Sequence, residues 1–213
     1  MQRDDRTTKA RLRDAAIELV AAHGPDGLTA RAVADAVDVS PGLVTHHFGS
    51  MEGLQEACDH HVATLVRASK QDAMQQGAGM DPLAALRSVD NAHLLPYLAR
   101  RLGQDAPTVA GLVDELVDDA EVYLAQGVAN GLIQPTEDPR GRAVVVVLWS
   151  LGALVLHDHL RRLLGVDLTS SALAEDAGFP RYAQVVASLY GDGLLTPDFA
   201  AQLRTSFSTS TSA

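Results

Sequence analysis

An all-α chain is what this sequence predicts, and three observations carry the prediction. Hydrophobic residues fill 46% of the 213 positions and aromatics only 4%, so the core must be built from Ala, Val and Leu, and the Ala and Leu richness favours helix by propensity. Apolar residues recur at helical spacing along much of the chain. No run of alternating apolar and polar residues bounded by turn signals marks a strand. The predicted organisation is a helix-turn-helix module over residues 1–67 followed by a second helical domain over residues 68–213.

The first helix is expected from about Thr8 to His23, with Leu12, Ala16, Leu19 and Val20 on one apolar face and Arg6, Lys9, Arg11 and Arg13 crowding its beginning. Gly24-Pro25-Asp26-Gly27 ends it. Thr29 then caps a second helix whose buried face would be Val33, Ala36 and Val37. A helix-turn-helix unit needs a small residue where its helices cross, a residue tolerant of positive φ in the turn, and an apolar residue next. Ala34, Asp38 and Val39 stand at those places, and Val44 supplies a further anchor inside the third helix. Ser40 is expected to cap that helix, with Pro41 at its first position, where a missing N–H costs nothing. Val44 must then pack inward, which turns Pro41, Gly42, Thr45 and His46 outward.

Phe48 is large enough to close this small core. After it, Ser50 caps a fourth helix with Glu52 in its first turn, where the helix dipole favours negative charge. Leu54, Cys58, Val62 and Leu65 form its stripe, and four helices complete a module ending near Arg67. The run 75–81, QQGAGMD, is the clearest break in composition. Helices are then expected over 82–89, over 92–102 with Pro96 as a kink or breaker, over 107–130 until Gly131 stops it, over 139–164, over 181–190 and over 197–207. The tail STSTSA is low in complexity.

Composition limits the function. The chain has 17 basic and 27 acidic residues, a net charge of −10, unlike a protein that coats nucleic acid indiscriminately. Residues 1–50, however, carry six basic and seven acidic side chains, whereas residues 75–213 carry nine and sixteen. The N-terminal module is therefore nearly neutral, and screening beyond roughly 10 Å lets its local face decide what it binds. The single cysteine, Cys58, excludes an intrachain disulfide and fits a reducing cytosol. The charged, polar stretch MQRDDRTTKA shows no apolar core of the kind a signal peptide needs. The apolar run 143–156 is short of the roughly 20 residues that cross a bilayer, so it reads as a buried helix in a soluble, cytoplasmic protein without a membrane partner.

The ordered set of residues from helix one to helix four, Thr29-Ala-Arg31-Ala-Val-Ala, then Val39-Ser40-Pro41-Gly42, then His46-His47-Phe48-Gly-Ser50, then Glu52 and Leu54, resembles the TetR (AcrR-type) family of transcriptional regulators. The resemblance covers about the first 65 residues. It implies a homodimer that binds a palindromic double-stranded DNA operator and answers to a small-molecule effector, and a repressor is the expected role. Carried over, Thr29 and Arg31 fall at phosphate or groove-edge contacts and Ser40 at a cap that touches backbone. Pro41, Gly42, Leu43, Thr45 and His46 fall on the DNA-facing positions of the recognition helix, and His47 beside a phosphate. Asp38 stands where the family's turn usually has Gly, Thr45 where Tyr often reaches a phosphate, and Met51 where Lys is common, so the electrostatic grip should be weaker.

Physics independently asks for the dimer. A good bidentate base contact discriminates by about 1–3 kcal/mol, and one helix reads only a few base pairs. Two modules held about 34 Å apart multiply that discrimination. The helix containing residues 144–156, with residues 181–190, is expected to form a four-helix contact across a two-fold axis. His93, Tyr97, Tyr123, Trp149 and His157 are the candidates for an effector pocket, as apolar walls with polar handles.

The alternative is a helical metal-binding protein or small enzyme using Cys58 and His61, which share a helix face. They offer two ligands where structural zinc wants four. His46 with His47, His60 with His61, and His157 with His159 all diverge on a helix. No Gly-rich phosphate loop, nucleophile elbow or paired Cys motif suggests catalysis, and the acidic run Asp114, Glu115, Asp118, Asp119 and Glu121 reads as a solvated helix face. No catalytic residue, metal or cofactor is expected.

Overall fold

A computed structural model of the chain describes residues 2–76, 93–104, 107–170 and 172–191, and no strand occurs among them. Nine α-helices are described: α1 Gln2–His23, α2 Ala30–Ala36, α3 Gly42–Phe48, α4 Met51–Gln76, α5 Leu94–Leu102, α6 Pro107–Ala129, α7 Pro139–Val155, α8 His157–Leu164 and α9 Phe179–Gly191. The helices expected over 82–89 and 197–207, the tail and most of the break at 75–81 lie outside the described residues.

Local chemistry sets most boundaries. Gly24 closes α1 at φ 78°, its N–H reaching the Val20 carbonyl at 2.9 Å, a backbone conformation that glycine adopts without steric cost. Thr29 Oγ1 accepts the Ala32 N–H at 3.1 Å and Ser50 Oγ the Gly53 N–H at 3.0 Å, so both expected caps form. Asp138 caps α7 by accepting from Gly141 at 2.7 Å, ahead of Pro139. Gly131 follows α6 at φ 72°, a C-terminal stop.

Leu12, Ala16, Val20, Val33, Ala34, Val44, Leu54, Cys58 and Val62 are buried together where α1 to α4 meet. That core continues without a break into Tyr97, Leu98, Leu112, Leu116, Ala120, Ala143, Val147 and Leu154. The expected module end near Arg67 falls inside α4, which runs on to Gln76. Along that extension α4 lies parallel to α6: His60 meets Glu115 at 2.8 Å, Arg67 meets Asp119 at 3.0 Å, and Asn130 donates to the Met74 carbonyl at 2.9 Å. Gly127 lets the two helices approach, since a Cβ there would stand 2.8 Å from Met74 Sδ and 2.6 Å from Ile133 Cδ1.

Helix α5 packs on α1 and on α7. Arg100 Nε donates to the Ala21 carbonyl at 3.2 Å, in the last turn of α1, where a cation complements the helix dipole. Arg101 and Asp59 form a buried ion pair, 3.0 Å from Nη2 to Oδ2, and the Tyr97 hydroxyl donates to Asp59 Oδ1 at 2.6 Å.

Several details differ from the sequence reading. α1 begins at Gln2, because polar helix formers extend a helix without an apolar pattern to announce it. Pro96 neither kinks nor breaks α5, since it sits in the first turn, where its missing N–H has no intrahelical partner. The single helix expected over 139–164 is two, α7 and α8, bent by 73°. Leu156 leaves helical geometry at φ −94°, ψ 21°, and α8 turns back so that Leu160 and Leu164 reach the core. No single helix among the described residues is long and apolar enough to cross a membrane, and only this bent pair passes by length and composition. α7 is also not wholly buried: Val145, Leu148, Trp149 and Val155 are exposed, with Leu156 beyond them and Val185, Leu189 and Tyr190 on α9. Leu65 stands 39% exposed, off the buried stripe of α4.

Candidate nucleic-acid interface

Helix α3 is built as a stage for its outer face. Only Val44 is buried, while Pro41, Gly42, Thr45 and His46 are exposed and Leu43, His47 and Phe48 half-buried. The turn leading into it is made as the spacing requires. Asp38 adopts φ 57°, tolerated because its short polar side chain accepts the left-handed region better than most, and the Val39 N–H closes the turn on the Ala34 carbonyl at 3.0 Å. At the other end Gly49 takes φ 78°, and the first turn of α4 sits so close to α3 that a Cβ on Gly53 would stand 2.2 Å from the Phe48 carbonyl oxygen.

Two local readings need correction. Ser40 makes no side-chain cap: α3 starts at Gly42, Pro41 precedes it in helical geometry, and the Ser40 backbone carbonyl, not its hydroxyl, accepts the Leu43 N–H at 3.0 Å. Pro41 has already turned the chain into helical geometry, so a backbone turn does the work of a cap. Ala36 is exposed; Val33 and Ala34 are the buried residues of α2, and Val37 packs from the margin. The α2–α3 crossing needs only the small Ala34 at its closest point. Thr29 and Arg31 are exposed at the start of α2, and Arg31 faces Asp35 at 3.7 Å.

The basic side chains of α1 have destinations that spacing did not reveal. Arg11 Nη2 donates to the Val37 carbonyl at 2.7 Å. Lys9 Nζ lies 5.4 Å from the centroid of the Phe48 ring, within cation–π range. Arg13 pairs with Asp14 at 2.6 Å. A crowd of basic residues at a helix start is legible in sequence, but which carbonyl, ring or carboxylate each one meets depends on the packing of α1 against α2, α3 and α4.

The five effector candidates have different surroundings, and of them Tyr123 and Trp149 share a neighbour in Tyr190. His93 is exposed at the start of α5, in an open groove of about 430 Å³ beside Leu19, Ala36 and Pro96. Tyr97 is 1% exposed and committed to Asp59, and burial with that carboxylate raises its hydroxyl pKa well above the usual tyrosine range. Tyr123 is buried in the bundle, its pKa pushed up to about 12 by burial first and then by Tyr190 and Asp119 nearby. Trp149 is 60% exposed and stacks at a tilt on Tyr190, ring centroids 6.2 Å apart. These two and Tyr182 line a cleft of about 250 Å³ between α7 and α9. His157 is half-buried at the start of α8.

Cys58 and His61 make a poor metal pair. Burial first, and Asp59 next, push the Cys58 thiol up to about 12, and its S–H donates to the Arg13 carbonyl at 3.6 Å. A metal ligand has to be a thiolate. No group of three metal-binding side chains occurs among the described residues. Native protein is therefore expected to react with a thiol reagent such as DTNB at neutral pH at least 100-fold more slowly than urea-unfolded protein, following the deeply depressed thiolate fraction and the lack of access. Comparable rates in the two states would contradict the burial of Cys58.

Residues 12–58 match the family model for bacterial regulatory proteins of the tetR family, and residues 90–196 the one for the tetracyclin repressor-like C-terminal domain. The chain is 39% identical over 158 residues to the HTH-type transcriptional regulatory protein RaaS of Mycobacterium tuberculosis, covering 74% of each protein. It is 35% identical over 82 residues to the HTH-type transcriptional regulator BetI of Paraburkholderia phytofirmans, 38% of this chain and 41% of the relative. Among solved structures, a TetR-family transcriptional regulator from Rhodococcus sp. aligns with a TM-score of 0.57 at 19% identity, covering 83% of this chain and 97% of the other. Salmonella enterica GusR aligns with a TM-score of 0.56 at 18% identity, covering 85% and 94%. At these identities the structural likeness establishes the fold.

Proposed function

The chain belongs to the TetR family of transcriptional regulators, and from that premise we propose that it is a ligand-responsive, dimeric repressor that reads a palindromic operator with α3. The observation that carries the proposal is the division of α3 into one buried anchor, Val44, and an exposed face of Pro41, Gly42, Thr45 and His46. In this reading Leu43 adds apolar contact at the groove, Thr29, Arg31, Ser40 and His47 meet the backbone, and residues 1–67 act as the DNA-binding unit in the cytoplasm. The second unit, residues 68–213, dimerises and holds the effector.

The exposed apolar side chains of α7 and α9 support the dimer. Trp149 and Tyr190 belong to that face, which fits an interface better than an effector wall. Effector binding finds support in the bundle interior. Asp119 Oδ2 and Gln126 Oε1, on one face of α6 with Tyr123 between them, are buried acceptors without a protein donor, positions that a water or a bound effector can satisfy.

In vitro selection from random duplex DNA tests the proposal. A palindromic consensus is expected. The changes Thr45→Ala and His46→Ala should each weaken binding to it by about 1–3 kcal/mol and relax the preference at one base position per half-site, read by fluorescence anisotropy on single-base variants. Recovery of no consensus at low salt from folded, dimeric protein would sink the DNA reading. Unchanged discrimination in both variants would sink the placement of α3.

A further inference from the structure

We propose that Arg11 is a positioning residue for the recognition helix, its guanidinium holding the turn between α2 and α3 in place of a DNA phosphate. The inference rests on the reading of α3 as the DNA-contacting helix and adds a residue that acts through it. An exposed arginine on a DNA-binding module would ordinarily be assigned to the phosphate backbone. Here its geometry commits it elsewhere.

The Val37 carbonyl, which Arg11 Nη2 meets at 2.7 Å across 26 residues of sequence, is not an arbitrary acceptor. Val37 caps the C-terminus of α2, where carbonyls lack intrahelical partners and the helix dipole favours a cation. Its carbonyl also belongs to the peptide plane joining Val37 to Asp38, and the rotation of that plane helps set φ of Asp38. Asp38 stands at φ 57°, and it is the one non-glycine residue with positive φ among the described residues. A residue with a Cβ resists this conformation, so a charge-assisted hydrogen bond on that plane opposes the tendency of the turn to relax.

Two residues earlier on α1, Lys9 lies over the Phe48 ring at the far end of α3. α1 thus grips the recognition helix at its entry and its exit. Arg13, the next cation along α1, faces the carboxylate of Asp14.

A phosphate contact and a positioning contact differ in what their loss does. Removing a phosphate contact weakens specific and nonspecific binding alike and lowers the slope of log K against log salt by about 0.9 per contact. Removing a positioning contact lowers the population of protein with α3 correctly set, so specific binding falls and nonspecific binding does not.

The experiment uses full-length protein, the duplex obtained by in vitro selection and a scrambled duplex of equal length, with affinities measured by anisotropy across about 50–200 mM salt. Arg11→Met is expected to weaken the selected duplex about tenfold, leaving the scrambled-duplex affinity and both salt slopes unchanged. Asp38→Gly added to Arg11→Met should recover most of the loss, because glycine holds the turn without the tie. Arg11→Ala, which also removes the donor, is measured alongside with the same expected result and covers the case in which Arg11→Met does not fold. A uniform loss on both duplexes with a salt slope reduced by about two, one phosphate per protomer of a dimer, overturns the proposal. So does wild-type affinity of the Arg11 single variants for the selected duplex. Failure to select any duplex is a separate result, because it strikes the DNA reading itself.

Discussion

Replacing Arg101 by Met is expected to cost about 3–5 kcal/mol of folding stability, the usual result of stranding one partner of a buried ion pair. Arg101 is 1% exposed, and its Nε and Nη2 lie 3.0–3.2 Å from the two oxygens of Asp59. The same guanidinium donates to Gln104 Oε1 at 2.7 Å and Thr108 Oγ1 at 2.5 Å. Methionine fills much of the volume but leaves the Asp59 carboxylate with the Tyr97 hydroxyl as its remaining partner among these groups. Chemical denaturation followed by circular dichroism reads the loss. The double variant Arg101→Met with Asp59→Leu should recover part of it, because an apolar pair has no charge to strand. Recovery will be incomplete, since Tyr97, Gln104 and Thr108 still lose a partner. A cost below about 1 kcal/mol for Arg101→Met would mean that water reaches Asp59 and that the pair is not the buried joint between α4 and α5 described above.

The second large effect is expected at the apolar face of α7. Leu148 is 50% exposed in the single chain, so Leu148→Arg should leave the protomer's own stability nearly unchanged. Across a two-fold axis, however, the same surface meets itself. In the proposed seam each protomer then buries an added guanidinium in place of a leucine, and an unpaired charge buried in an interface costs several kcal/mol. Sedimentation should show a monomer at micromolar concentration, and affinity for the selected palindrome should fall about 100-fold or more, because each half-site is then read by one helix alone. A dimer with wild-type DNA affinity would show that α7 and α9 are not the interface.

Legibility differed from element to element for physical reasons. The caps at Thr29 and Ser50, the turn at Asp38 and the anchor at Val44 were readable because each depends on residues within five positions of one another. The bend at Leu156 was not, because the apolar run through residues 143–156 and the leucines of α8 continue one helical pattern, and only packing of Leu160 and Leu164 against the core decides where the axis turns. Tyr97 looked like a polar handle in an apolar wall. Its commitment to Asp59, 38 residues away, is a tertiary fact. Ser40 shows the reverse: the residue type suited a cap, and a backbone turn at Pro41 made one unnecessary.

What the sequence by itself determined about this protein is local and periodic: an all-helical chain, a helix-turn-helix with its register, and an exposed face on α3, all set by short-range spacing and by burial of one stripe per helix. Tertiary structure alone decided where long, flexible side chains go. Arg11, Lys9, Arg100 and Arg101 read alike as basic residues on helices, yet they end on the Val37 carbonyl, the Phe48 ring, the Ala21 carbonyl and the Asp59 carboxylate. Side chains with four rotatable bonds find partners according to which helices pack beside them, and no period along the chain encodes that.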